Sequence, residues 1–203
     1  MEYNTIASDE SIQKAASALK EHGIEVILVD NAEQAKAKVL EILPEQSEVF
    51  NMNSETLRTT GIATAINDSG KFDSVRNKLN SMDRATQGRE MRKLGAAPDF
   101  ALGSVHAITE QGQLMIASNT GSQLPAYLYG AGKVIWVAGA QKIVPNLEEG
   151  RKRIYDYVLP LETERANKAY GSGGSFVSKL AIINKEINPA RATIIIVKES
   201  LGF

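Results

Sequence analysis

The chain contains no cysteine at any of its 203 positions. This absence excludes a thiol nucleophile, a disulfide, and an iron–sulfur cluster held by cysteines of this chain. Histidine is nearly as scarce, since only His22 and His106 occur, and a histidine-rich metal centre is excluded as well. No spacing of carboxylates indicates a site for a hard metal ion, and no G-x-G-x-x-G fingerprint follows a predicted strand. We therefore expect neither a metal ion nor a tightly bound cofactor.

The sequence also lacks long apolar runs and an excess of charge. No apolar stretch approaches the ~20 residues of a membrane-spanning helix, and the first residues carry no signal-peptide pattern. The formal net charge is −1, the pI is about 6.2, and aromatic residues make up 6% of the chain. No global field would draw the molecule to nucleic acid or to an anionic membrane, and no basic stripe is interleaved with aromatics. We expect a cytoplasmic protein that binds neither.

What the sequence does contain is an alternation of helical and β-rich segments in one domain that spans residues 1–203. Apolar residues recur at helical spacing over residues 8–21, and Asn31 with Gln34 resembles a capping box. Ser54 is placed to cap a further helix, and Pro160 is expected to kink a late one. Strands are predicted at 25–30, 47–53, 100–109, 114–118, 133–139, 179–184 and 192–197. The Gly112 turn joins two of them as a hairpin, so the pattern predicts an α/β sandwich with a mixed sheet.

Five sequence fragments together resemble the LUD domain family, which is named for lactate utilisation. In chain order they are SETLRTTGI, DFALGSVHAITEQGQLMIASNTGSQLP, VIWVAGAQKIV, VLPLETERA and KESLGF. Each fragment alone is weak, but their order over about 150 residues is a strong family pattern. The resemblance extends from about Asn51 to Phe203, and residues 1–50 are the least diagnostic part.

The resemblance implies a fold and a role. The fold would be a three-layer α/β/α sandwich around a mixed β-sheet, similar to ribose-5-phosphate isomerase, glucosamine-6-phosphate deaminase and the CoA transferases. The role would be an accessory or regulatory component of bacterial L-lactate oxidation to pyruvate, which binds a small anionic metabolite or a partner protein. Iron–sulfur subunits of such a system are the implied partners. The alternative is an enzyme that acts on a CoA thioester or a phosphorylated metabolite, with Glu110 as nucleophile or base.

Glu110, beside the hairpin turn, is the candidate catalytic residue. The CoA transferases of the implied superfamily use a glutamate near a strand end as nucleophile, and Glu110 resembles it in position. A carboxylate nucleophile also requires an activated acyl partner and an oxyanion stabiliser. The alternative is a turn carboxylate that only requires water.

A loop rich in small polar residues is the leading candidate for ligand binding. Its members are Asn119, Thr120, Gly121, Ser122 and Gln123. If the loop opens a helix, its backbone N–H groups lack intrahelical partners, and the helix dipole favours a bound anion. The alternative is that these residues only cap the helix. We predict that the hairpin delivers this loop to a crevice at the strand ends.

Three further residues are candidates for the same crevice. Ser54 and Thr56 follow a predicted strand, and ligands of open α/β sheets bind at strand ends. Their alternative role is helix capping. Lys142 can supply a cation to the site, against the alternative of an exposed lysine with no specific role.

Three other features carry weaker predictions. His106 has no Ser-His-Asp spacing in support and is interpreted as a structural or rim residue. Residues 71–93 have an excess of basic side chains, which indicates an amphipathic helix with a solvated basic face or a flank that faces an anion or a partner. The loop Gly171-Ser172-Gly173-Gly174-Ser175 is flexible by composition, with a lid or a phosphate loop as the functional alternative.

Overall fold

The computed structural model describes residues 2–171 and 173–203, in which helices and strands alternate. The first half contains α1 (Asp9–Glu21), β1 (Glu25–Val29), α2 (Ala32–Ile42), β2 (Glu48–Asn51), α3 (Glu55–Thr59), α4 (Ile62–Asn67), β3 (Asp73–Ser74), α5 (Val75–Ser81) and α6 (Arg84–Ala96). The second half contains β4 (Phe100–Gly103), β5 (Ala107–Thr109), β6 (Leu114–Ser118), β7 (Lys133–Gly139), β8 (Ile143–Val144), α7 (Leu147–Lys152), α8 (Leu159–Tyr170), β9 (Lys179–Ile183) and β10 (Ala192–Val197). Shorter helical turns lie at Ala126–Gly130, Ala140–Lys142 and Arg153–Val158.

Local capping starts several helices where the sequence predicts them. The side chain of Ser8 accepts a hydrogen bond from the N–H of Ser11, and that of Asn31 accepts one from Gln34. Ser54 caps α3 in the same way. Each cap satisfies a backbone N–H group that has no partner within its own helix.

A six-stranded sheet in the order β1-β10-β7-β4-β2-β3 forms the centre, and its paired strands are parallel. Successive side chains of its central strands point to opposite faces, as Ile135 and Trp136 illustrate. Ile135 packs in a core with α2, α3 and α4. Trp136 packs in the other core with α1 and with strands of a second sheet. The expected α/β class and three-layer α/β/α arrangement are therefore confirmed.

The predicted hairpin is confirmed, and it belongs to a second sheet in the order β8-β5-β6-β9. Strands β5 and β6 pair antiparallel, with Ile108 opposite Leu114, whereas β5 and β8 pair in parallel. Both predicted C-terminal strands form, but only β10 is buried throughout. Strand β9 is partly exposed along its length, because it lies at the edge of this small sheet.

Three predicted helices are interrupted. The helix after Ser54 is divided into α3 and α4 at Gly61, which has φ +69°. Residues 71–93 form two helices, because Asp83 starts α6 with its own cap. Before Pro160 the backbone widens into the π-helical turn Arg153–Val158, which accommodates a residue that has no N–H to donate. In the described part of the chain, no helix combines the length and apolarity needed to cross a bilayer.

Candidate functional site

A cavity of about 600 Å³ lies where several strands end. Its walls include residues that follow β2, the link between β4 and β5, the loop after β6, and the turn after β7. Strands β2, β4 and β7 run parallel, so their carboxyl ends meet at one edge of the sheet. Open α/β sheets bind ligands at this edge.

The cavity brings together most of the predicted ligand-binding residues. Seven of the eight line it, namely Ser54, Thr56, Asn119, Thr120, Ser122, Gln123 and Lys142. The eighth, Gly121, donates its N–H to the hydroxyl of Ser118, which is itself a lining residue. The fold thus brings Ser54 and Lys142, which are far apart in sequence, to the same cavity. Ligand binding by these residues stays a prediction.

Lys142 is the most unusual residue of the cavity, because this lysine is buried and only 2% exposed. Its Nζ donates to Thr56 Oγ1 at 3.0 Å, to Ser104 Oγ at 3.1 Å and to the carbonyl of Val105 at 3.2 Å. Burial lowers the pKa of Lys142 well below its usual value, and the charge of Arg153 lowers it further. Within residues 2–171 and 173–203, no carboxylate lies within ion-pair distance of this ammonium. The lysine therefore has neutral oxygen partners only.

The end of the chain holds this arrangement in place. Thr56 donates its hydroxyl to the carbonyl of Leu201 at 3.2 Å, and Gln141 Nε2 donates to the same carbonyl at 2.9 Å. Gly202 has φ +64°, and a Cβ there would lie 2.5 Å from Thr56 Oγ1. Phe203 lines the cavity. This close approach explains why the closing segment needs glycine beside Thr56.

His106 faces the cavity with one edge and the protein with the other. Its Nδ1 accepts a hydrogen bond from the N–H of Ala117 at 3.1 Å, which leaves Nε2 as the protonated nitrogen of the neutral ring. Burial, followed by the charges of Lys142 and Arg153, lowers the pKa of His106 to about 3. The ring is therefore uncharged at neutral pH and can donate one hydrogen bond. Its place in the cavity lining and its bond to Ala117 combine the two predicted roles, rim and structure.

The loop at residues 119–123 is ordered by its own side chains. Ser118 Oγ accepts from the Gly121 N–H at 2.8 Å and donates to Gln123 Oε1 at 2.9 Å. The segment after the loop ends in the π-helical turn Ala126–Gly130. So short a helical segment aligns few peptide dipoles, so its dipole would contribute little, and anion binding at this loop stays a prediction. An anion there would depend on side-chain hydroxyl and amide groups.

Charged groups around the cavity favour an anion. The lining cations are Arg76, Arg84, Lys142 and Arg165, and the lining acids are Glu55 and Glu162. Both acids are already neutralised by arginine: Glu162 by Arg165 through two bonds of 2.7 Å, and Glu55 by Arg58. Arg76 donates to the carbonyl of Asn51. The remaining electrostatic preference of the cavity is for negative charge.

Glu110 lies elsewhere and is not among the described lining residues. Its carboxylate accepts from Lys14 Nζ and from Ser11 Oγ, both at 2.8 Å, and so ties the hairpin turn to α1. These hydrogen bonds, first that of Lys14, lower the pKa of Glu110. Its carboxylate is thus satisfied by protein partners. A catalytic role for Glu110 stays a prediction that the cavity does not support.

Several lining residues were missed by sequence reasoning. Ser104 follows β4 directly, and a polar residue at a strand end could have been recognised by the rule that selected Ser54. Arg165 and Phe203 enter from distant elements, and no local pattern indicates them. Of the basic segment, Arg76 and Arg84 line the cavity, whereas Arg89, Arg92 and Lys93 are exposed.

The glycine-rich loop also reaches the cavity. Gly174 and Ser175 line it, whereas Ser172 lies outside the described residues. The predicted lid or phosphate-loop role of this loop therefore stays a prediction.

The fold is an α/β/α sandwich with a cavity, lined by several cationic side chains, at the carboxyl ends of its parallel strands. The model of the LUD domain family matches residues 12–197. The chain belongs to the LUD domain family, which is associated with lactate utilisation.

The comparisons with solved structures support the fold alone. The chain is similar to a DUF162 family protein from Deinococcus radiodurans, with 12% identity, a TM-score of 0.59, and coverage of 95% of this chain and 99% of that one. A second likeness is to eIF2B beta from Chaetomium thermophilum, with 12% identity over 67% of this chain and 43% of that one. Its TM-score of 0.30 is too low to support an argument. No curated protein matches the chain. The wider relation to ribose-5-phosphate isomerase and the CoA transferases stays a prediction.

Proposed function

We propose that the protein binds a small carboxylate metabolite in this cavity and serves lactate oxidation as an accessory or regulatory component. The single observation that carries the proposal is the buried Lys142, which has no carboxylate partner among the described residues. A ligand carboxylate would supply the negative charge that favours the protonated form of this lysine.

The energetic argument follows from the cost of burying charge. An ammonium group loses several kcal/mol of hydration in a protein interior, and neutral hydrogen-bond acceptors compensate for only part of it. The hydroxyls of Thr56 and Ser104 and the carbonyl of Val105 are such acceptors. A hydrogen bond that involves a charged group contributes about 1.5–3 kcal/mol, so an anion near Lys142 gains more than it would on the exposed surface.

An accessory role is supported by what the chain lacks and by its family. Oxidation of lactate needs an electron acceptor, and the absence of cysteine means that an iron–sulfur cluster would be held by partner subunits. The family association with lactate utilisation supports the same context. The alternative, an enzyme that acts on a CoA thioester or a phosphorylated metabolite through Glu110, has less support because Glu110 is paired with Lys14 away from the cavity.

Isothermal titration calorimetry with lactate, pyruvate and inorganic phosphate tests the proposal. The wild-type protein should bind a carboxylate, and Lys142→Met should weaken this binding by about tenfold or more, the equivalent of about 1.4 kcal/mol. Lys14→Met is the matched control, because it removes a lysine 60% exposed in its side chain and remote from the cavity lining. Failure of all carboxylates to bind, or equal binding by Lys142→Met, would contradict the proposal.

A further inference from the structure

The cavity is much larger than a three-carbon acid. With a volume of about 30 Å³ for each water molecule, its 600 Å³ corresponds to roughly twenty waters. Lactate or pyruvate would occupy the space of only about four of them. Cavities in this range hold ligands of the size of a drug molecule or a cofactor. The cavity therefore has room for a ligand with a substantial body besides its carboxylate.

One set of elements gives the cavity an apolar wall. Ile154 and Val158 come from the π-helical turn before α8, and Leu159 begins α8 itself. Phe176 and Val177, just before β9, add to this wall. Phe176 is 64% exposed although it lines the cavity. An apolar group bound against this wall would leave water and would cover the exposed ring of Phe176, which is favourable in proportion to the area buried. Ile154 and Val158 are already buried by the protein.

A different set of elements supplies the polar end. Lys142, Thr56 and Ser104 come from the strand ends, and none of them belongs to the segments that carry the apolar wall. Of the cations that line the cavity, Lys142 alone combines burial with a set of purely neutral partners in the described residues. A bound anion would favour the protonated form of this single buried amine, which then matches one negative charge.

We infer that the ligand is an amphipathic monocarboxylate, with its carboxylate at Lys142 and an aryl or branched apolar body along the wall that contains Val158 and Phe176. The inference rests on the proposed function and adds the chemical class of the ligand. Burial of one aromatic ring typically increases affinity roughly tenfold to a hundredfold. The site should therefore prefer phenyllactate to lactate, and phenylpyruvate to pyruvate, by at least about tenfold.

Calorimetry with these matched pairs separates charge from apolar body. Phenyllactamide, which keeps the ring but has no carboxylate charge, should bind far more weakly than phenyllactate. Phe176→Ala should reduce the ratio of phenyllactate to lactate affinity several-fold. Ile182→Ala is the matched control, since Ile182 is also an exposed apolar residue, 39% exposed, but does not line this cavity. It should leave the ratio unchanged.

The possible failures have different meanings. If lactate and pyruvate bind through Lys142 and the aryl acids bind no more tightly, the inference is overturned and the proposed function stands. If neither the small acids nor the aryl acids bind, the proposed function fails together with the inference. A preference for the aryl acids that Phe176→Ala does not alter would place the ring elsewhere and would also overturn the inference.

Discussion

Replacement of Lys142 by methionine should remove a dependence of stability on pH that the wild-type protein possesses. Methionine has a similar length but no charge, so it fills the space of the lysine stem without the ammonium. In the folded protein, burial holds the pKa of Lys142 well below 10.5. In the unfolded chain the group is hydrated and titrates near its usual pKa.

The direction and size of this pH dependence of stability follow from proton linkage. Between the lowered pKa in the folded state and 10.5 in the unfolded state, the unfolded chain binds more protons at this site than the native protein. The free energy of unfolding of the wild type should therefore rise with pH across this window, relative to the variant. Each unit by which burial lowers the pKa contributes about 1.4 kcal/mol, so the slope reaches at most about 1.4 kcal/mol per pH unit.

Urea unfolding of both proteins at several pH values from neutrality to about 10 measures this slope. The difference in free energy of unfolding between wild type and Lys142→Met is used, because the contributions of the other titrating groups cancel in it. Lys14→Met is a control that should show no rise over this pH range. The Glu110 carboxylate raises the pKa of Lys14 above 10.5, so the stability that this lysine contributes is constant up to about pH 10 and is lost only at higher pH. A difference between wild type and Lys142→Met that is flat, or that falls with pH, would refute the lowered pKa of the buried Lys142.

Two other substitutions test the arrangement around the site. Glu110→Gln should lower the free energy of unfolding by only roughly 0.5–1 kcal/mol, because its partner Lys14 is largely exposed. The substitution should leave anion binding unchanged, and a loss of binding would show that Glu110 belongs to the site. Gly202→Ala should destabilise by more than about 1 kcal/mol and weaken anion binding, because its Cβ would lie 2.5 Å from Thr56 Oγ1. Gly70→Ala is the control, since Gly70 has φ +69° but an added Cβ there would meet no atom within 4 Å. If both substitutions destabilise the protein equally, backbone strain explains the effect and the contact with Thr56 does not.

The sequence by itself determined the features that depend on neighbours a few positions apart. Asn31 caps α2 through a bond to Gln34, three residues along the chain, and the Gly112 turn joins β5 to β6. Such contacts are specified by local chemistry, and they form in the same way wherever the element is placed. The alternation of these elements was also sufficient for the α/β class.

Only the tertiary structure decided the character of the site. The sequence did not decide whether Lys142 is a cation of the site or an exposed lysine with no specific role. Its partners Thr56, Ser104 and Val105 lie 86, 38 and 37 positions away in the chain. Parallel strands bring these residues together because their carboxyl ends meet at one edge of the sheet. The same fold turns Glu110 towards α1 and away from the cavity. Burial and the identity of long-range partners set the charge of a lysine, and neither is encoded in the residues beside it.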